Sequence, residues 1–194
     1  MVGVKARKNA EETKLAWRLS ANSLMMKPKL RFKGNKIQKI ASRYDYSISE
    51  VELLELRPKV IKRGYLLKGE LQQIAYWKAP RSSGYSRSNP DNYVQEISSF
   101  SFCAKNERSR IEILTLLDGI SWPSASVILH FCHSDPYPII DFRSLWSVSL
   151  EVPSQYGFEL WWCYVDFCRK IAQKNDVDMR TLDRALWQYS KENQ

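Results

Sequence analysis

A chain of 194 residues, 44% hydrophobic and 12% aromatic, has enough apolar mass for one sizeable domain or two small lobes around a cleft. No apolar run approaches the roughly twenty residues that span a bilayer. Lys5, Arg7 and Lys8 are followed by no long apolar stretch, which argues against a secretory signal and leaves a soluble, intracellular protein as the expectation.

The net charge of +9 is unevenly placed: residues 1–39 hold eleven Lys or Arg against Glu11 and Glu12, and residues 40–194 are formally neutral. A basic arm over residues 1–35 joined to a neutral domain over 36–194 suits a polyanion, because each neutralised phosphate releases a counterion. A solvated solubility tail is the alternative. Within the arm, helical potential is patchy around Thr13–Ser23. Beyond Ser23, Pro28, Gly34 and the alternation of lysine with apolar residues interrupt any regular pattern.

From Asn35 the pattern turns helical, with Ile37, Ile40, Ala41 and Tyr44 on one stripe. Ser47 or Ser49 can cap the next helix, and Ser49 with Glu52 gives a capping-box signal before Leu53, Leu54 and Leu56. Arg57-Pro58 predicts a break, Val60–Gly64 a short link, and Lys68–Trp77 a helix. At that helix's end Tyr76, Trp77, Lys78 and Arg81 set aromatics beside cations, which suits base stacking and phosphate contact or a core tryptophan with dipole-complementing cations. Ser82–Pro90, with Arg87, reads as a polar loop that either tracks a nucleic-acid backbone or is a mobile connector. A helix from Asn89 or Asp91 towards Ala104 is expected to turn Tyr93, Val94, Ile97 and Phe100 inward.

The most informative stretch is Ile111–Leu150. A helix carrying Ile113, Leu116 and Leu117 closes at Gly119, and after Gly119-Ile120-Ser121-Trp122 comes Pro123, suited to the first turn of a second helix through Leu129. That helix stops near His133–Pro136, and an extended Tyr137–Ile140 leads to Asp141, where another helix opens. Further on, Phe158–Ala172 is so aromatic all round that it reads as buried, and a last helix spans about Asp178–Ser190. With no β pattern or Gly-rich phosphate loop, the fold class is all-α, with helices from both chain ends building one lobe and the middle helices the other.

Leu114, Leu117, Gly119, Ile120, Ala125, Ile128 and Leu129, with Ile139-Ile140-Asp141 after them, resemble the motif of the helix-hairpin-helix DNA glycosylase superfamily. The resemblance covers about forty residues. It implies that main-chain N–H groups of Gly119, Ile120, Ser121 and Trp122 hold a phosphate of double-stranded DNA, and that Asp141 is the catalytic carboxylate of a monomeric enzyme. Lys78, Arg81 and Arg87 are the further candidate DNA contacts. Two departures bear on the chemistry. Ser121 replaces the hairpin's second glycine, and Pro123 stands where lyase-type members carry the Schiff-base lysine.

Cleaving a glycosidic bond requires a flipped base and a negative group beneath the sugar as C1′ becomes cationic. Asp141 fits that role, and helix capping is its other, compatible one. Three readings are open: a monofunctional glycosylase; a DNA-binding protein that keeps the fold without the chemistry; and a bifunctional enzyme taking its amine from Lys78 or the N-terminus. No cofactor or metal is expected: Cys163 and Cys168 alone do not make an iron–sulfur site, and His130, Cys132 and His133 lack a convergent second cluster.

Overall fold

The structure, a computed structural model, describes residues 27–194, so the expected helical potential around Thr13–Ser23 and most of the basic arm lie outside the described residues. A single 3₁₀ turn, Gly34–Lys36, leads into α1 (Ile37–Ala41). Then come α2 (Ile48–Arg63), α3 (Lys68–Lys78), a 3₁₀ helix (Ser83–Ser88), α4 (Asp91–Cys103) and α5 (Glu107–Leu114). The chain continues through α6 (Trp122–Cys132), α7 (Phe142–Ser147), α8 (Phe158–Lys174) and α9 (Met179–Asn193). The fold is all-helical, with no strand among the described residues. No described helix is long and apolar enough to cross a membrane.

α6 is the centre of the packing: every residue from Ser124 to Cys132 is buried, with α2, α3 and α5 around it. At the chain ends α1 lies along α9, which also contacts α7 and α8, and α5 joins the two groups through α8. The buried apolar side chains form one continuous cluster through both groups. Burying each of these aliphatic side chains contributes roughly 1.5–3 kcal/mol.

Several local expectations give way to tertiary context. Pro58 does not break α2, and Val60–Arg63 continues the helix rather than linking it to the next. The Pro58 ring faces solvent, so the missing amide costs one hydrogen bond without a steric collision in the core. Gly64, at φ 83°, ends the helix in the left-handed region where a side chain is disfavoured. The cap of α2 is Ser47, whose Oγ accepts from the Glu50 amide at 3.2 Å, not the Ser49–Glu52 box; Glu52 instead accepts from Gln73. On α4, Val94 and Ile97 face inward but Phe100 is exposed, because Ser98 and Ser101 occupy the buried face. Ser98 Oγ accepts from the Leu66 amide and Ser101 Oγ donates to Arg110 O, which satisfies both hydroxyls in the interior.

Candidate active site and nucleic-acid face

Asp141 sits at the end of a segment held from four sides. Asp183 of α9 accepts from the Ile139 amide at 2.8 Å, and Ser126 of α6 accepts from the Ile140 amide at 3.0 Å. Tyr164 of α8 and Ser144 of α7 both donate to Ile139 O. Such cross-linking through buried groups fixes the backbone that presents Asp141. Asp141 then caps α7 in a reciprocal box: Oδ1 accepts from the Ser144 amide at 2.8 Å, and Ser144 Oγ accepts from the Asp141 amide at 2.9 Å.

Its second oxygen, Oδ2, faces Lys78 Nζ at 3.3 Å across 63 residues of chain. Both side chains are mostly covered, at 19% and 15% exposure, yet both line a cleft of about 610 Å³. Pro123 lines it too, at the first turn of α6, so the cleft meets the hairpin. Tyr44, Trp77, Tyr156 and Trp187 give the walls a flat apolar character suited to a planar ring. Burial first, and then the Asp141 charge, push the Tyr156 phenol above its ordinary value, so it stays a donor at neutral pH.

In the cleft wall Arg180 binds Glu50 behind it and, at 2.7 Å, Asp183, while Tyr44 donates to Glu50 at 2.8 Å. Burial pushes the Asp183 carboxyl up to about 6 although Arg180 and the Ile139 amide pull the other way. Glu50 is legible in the sequence only as a helix-start acid, and Arg180 and Asp183 carry no signal beyond their place on the last helix. The pairing of Glu50 with Arg180 across 130 residues has no local pattern.

The hairpin turn lies between α5 and α6. α5 ends earlier than its apolar spacing implies: turns begin at Thr115, Leu116 is exposed, and Gly119 takes φ 77°. Gly119 and Ser121 are exposed, Ile120 is buried with its amide bonded to Leu117 O, and Trp122 is half-buried with its ring 6.4 Å from that of Trp161. Ser121 is the N-cap of α6 but its side chain makes no capping hydrogen bond, so the first-turn amides receive nothing from it. The Ile120 side chain is therefore core, while Gly119, Ser121 and the α6 start form the outward surface.

Ser82–Pro90 is not a featureless loop. Its 3₁₀ helix buries Ser86, and Asn89 is 2% exposed. Asn89 accepts from the Asp118 amide at 2.9 Å and donates to Asp118 O at 3.0 Å and to Ser86 O. Ser88 adds a bond to the Asp118 carboxylate at 2.8 Å. The two segments touch so closely that a Cβ on Gly119 would lie 2.9 Å from the Ser86 amide nitrogen and 3.0 Å from Tyr85 Cβ. Tyr85 itself is 70% exposed beside the hairpin, and the sequence marks it only as part of a Ser-, Arg- and Tyr-rich loop, because one tyrosine in a serine-rich run carries no periodic signal. Arg87 and Arg81 are exposed on this segment and at the preceding turn. Of the expected DNA contacts, Lys78 alone enters the cleft.

His130 and His133 do not converge: His130 Nδ1 meets Tyr137 O at 2.6 Å, and His133 faces Phe102 O and the Asp135 amide. Among the described residues no group of three metal-ligating side chains is present. Against known proteins, no family model, no curated protein and no solved structure matches this chain.

Proposed function

We propose that the protein is a monofunctional DNA N-glycosylase of the helix-hairpin-helix type, acting as a monomer on a flipped, modified or mismatched base. The observation that carries this reading is Asp141: a carboxylate with one oxygen fixed as a helix cap and the other turned towards a cleft that adjoins the hairpin. In this reading α1, α7, α8 and α9 form one lobe and α2–α6 the other, with the cleft between them. Gly119, Ser121 and the start of α6 hold a backbone phosphate, Arg81, Arg87 and Tyr85 extend that face, and the aromatic walls receive the base. The Asp141 charge stabilises the cationic sugar as the bond to the base breaks, and water completes the hydrolysis.

The position of Lys78 favours a second reading, in which its amine attacks C1′ as the glycosidic bond breaks and the base leaves, with Asp141 accepting the proton from the new C1′–N bond. Incubation with duplexes carrying oxidised, alkylated, deaminated or mismatched bases, with and without borohydride, separates the readings. Free base without a trapped covalent adduct supports the first. An adduct lost in Lys78→Gln replaces it with the second. No base released from any substrate leaves a DNA-binding protein without chemistry.

A further inference from the structure

We infer that residues 27–43 form a second contact face for double-stranded DNA, separate from the hairpin. This run holds seven Lys or Arg and no acid, whereas residues 44–194 hold eighteen against nineteen. Charge of one sign is therefore concentrated on one short piece of described chain.

The run is a fixed strap. The Lys29 amide donates to Val148 O at 2.8 Å, the Arg31 amide to Ser147 O at 3.0 Å, and Tyr189 donates to Arg31 O at 3.1 Å. The Phe32 ring packs on Tyr189 at 4.7 Å, and Leu30 joins it against the core. Exposure alternates in consequence: Lys27, Lys29, Arg31 and Lys33 point outward, and the residues between them are partly covered. Two residues of chain span at most about 7 Å, so alternation brings these cations close together along one short, exposed edge. Lys36 and Lys39 continue the row onto α1. Among the described residues none of these six makes an ion pair, while Arg43, one turn on, is held by Glu192.

The chemistry of the face selects the partner. No large apolar side chain is exposed between residues 27 and 43; the first is Tyr46. Insertion into a lipid surface or a protein hot spot would need apolar anchors, and a single strand would need stacking platforms. A row of fixed cations with none of these matches the regular charge of a duplex backbone. The face also reaches the cleft. α1 leads to Tyr44 and α9 to Trp187, both in the cleft wall, with Lys191 Nζ 5.2 Å and the Arg143 guanidinium 5.4 Å from the Trp187 ring centroid.

The test uses the full chain with Lys27, Lys29, Lys33, Lys36 and Lys39 all changed to Gln, sparing Arg31 because its guanidinium packs on Trp146. Binding to an undamaged duplex is measured across about 50–200 mM salt. Each lost phosphate contact makes the logarithmic salt slope shallower by about 0.9, so three engaged lysines give a change of roughly 2.7. Affinity at the lowest salt should fall by about tenfold or more, with the unfolding midpoint unchanged because all five side chains are exposed. An unchanged slope, or a loss seen with heparin but not with duplex, overturns the inference. A parent protein that binds no duplex at all sinks the proposed function as well, whereas a parent that binds and a variant that matches it sinks the strap alone.

Discussion

Asn89→Ala should uncouple the hairpin from the segment that supports it. The side chain is buried and makes three hydrogen bonds, two to the Asp118 backbone and one to Ser86 O. Each contributes roughly 1 kcal/mol net, and a buried acceptor left empty adds about 1–3 kcal/mol. Asp118 is exposed, so its freed amide and carbonyl regain water; Ser86 is buried, so its carbonyl does not. The expected loss is about 3–5 kcal/mol, or roughly 6–20 °C in midpoint for a chain of this size. Duplex affinity should fall further than stability accounts for, because Gly119 and Ser121 lose their fixed position. Asn89→Asp should do no better, since its carboxylate would face two carbonyl oxygens. Urea unfolding and duplex titration on the same samples give both numbers. A loss under about 0.5 kcal/mol with unchanged affinity would refute the idea that Asn89 sets the hairpin geometry.

Ser121→Asp should separate binding from folding. An N-cap aspartate stabilises a helix start by about 0.3–1 kcal/mol, yet it places a negative charge where a phosphate is expected. Stability should hold or rise while affinity drops for every duplex sequence, and equal affinity would show that the turn touches no phosphate. His130 supplies the pH dependence: burial, then the Arg180 charge, push it down to about 3, so the folded chain keeps it neutral while the unfolded chain protonates below about 6.5. It therefore stabilises the fold above pH 6.5, and that stability is lost progressively as pH falls towards 3. His130→Gln should flatten the acid limb by about 1.4 kcal/mol per unit. Asp183, with its carboxyl raised to about 6, favours the fold below that pH and partly offsets the histidine between about 4 and 6. A limb as steep in His130→Gln as in the parent would assign acid sensitivity elsewhere.

The elements that sequence pattern reveals are those whose periodicity and burial agree. α3, α6, α8 and α9 fall within a few residues of their apolar spacing. α6 is buried on all sides, whereas α8, expected to be buried all round, covers only the stripe of Trp161, Tyr164, Val165, Cys168 and Ala172, because its other aromatics lie at the surface of the packing. Pro58 shows the converse: the signal for a break is real, but an exposed ring lets packing of Leu53 and Val60 carry the helix through. Ser82–Pro90 lacks a legible pattern because its buried groups are polar, and a buried Asn89 leaves no hydrophobic trace. At the candidate site, Asp141 stands out in the sequence only through the resemblance to the glycosylase motif, and as a helix cap. Arg180 and Asp183 pair locally, three residues apart on α9, but Lys78 meets Asp141, and Asp183 meets the Ile139 amide, only through tertiary packing, which cannot be read along one strand of sequence.

The central claim rests on the Asp141 charge, and Asp141→Asn tests it with least disturbance. Asparagine caps a helix about as well as aspartate, so the Ser144 box and the fold should survive. Base release from a lesion duplex that the parent protein cleaves should fall by about a hundredfold or more, since an electrostatic stabiliser of the transition state is gone. Duplex binding should persist or strengthen. Equal release by parent and Asp141→Asn would contradict the catalytic role of Asp141 outright.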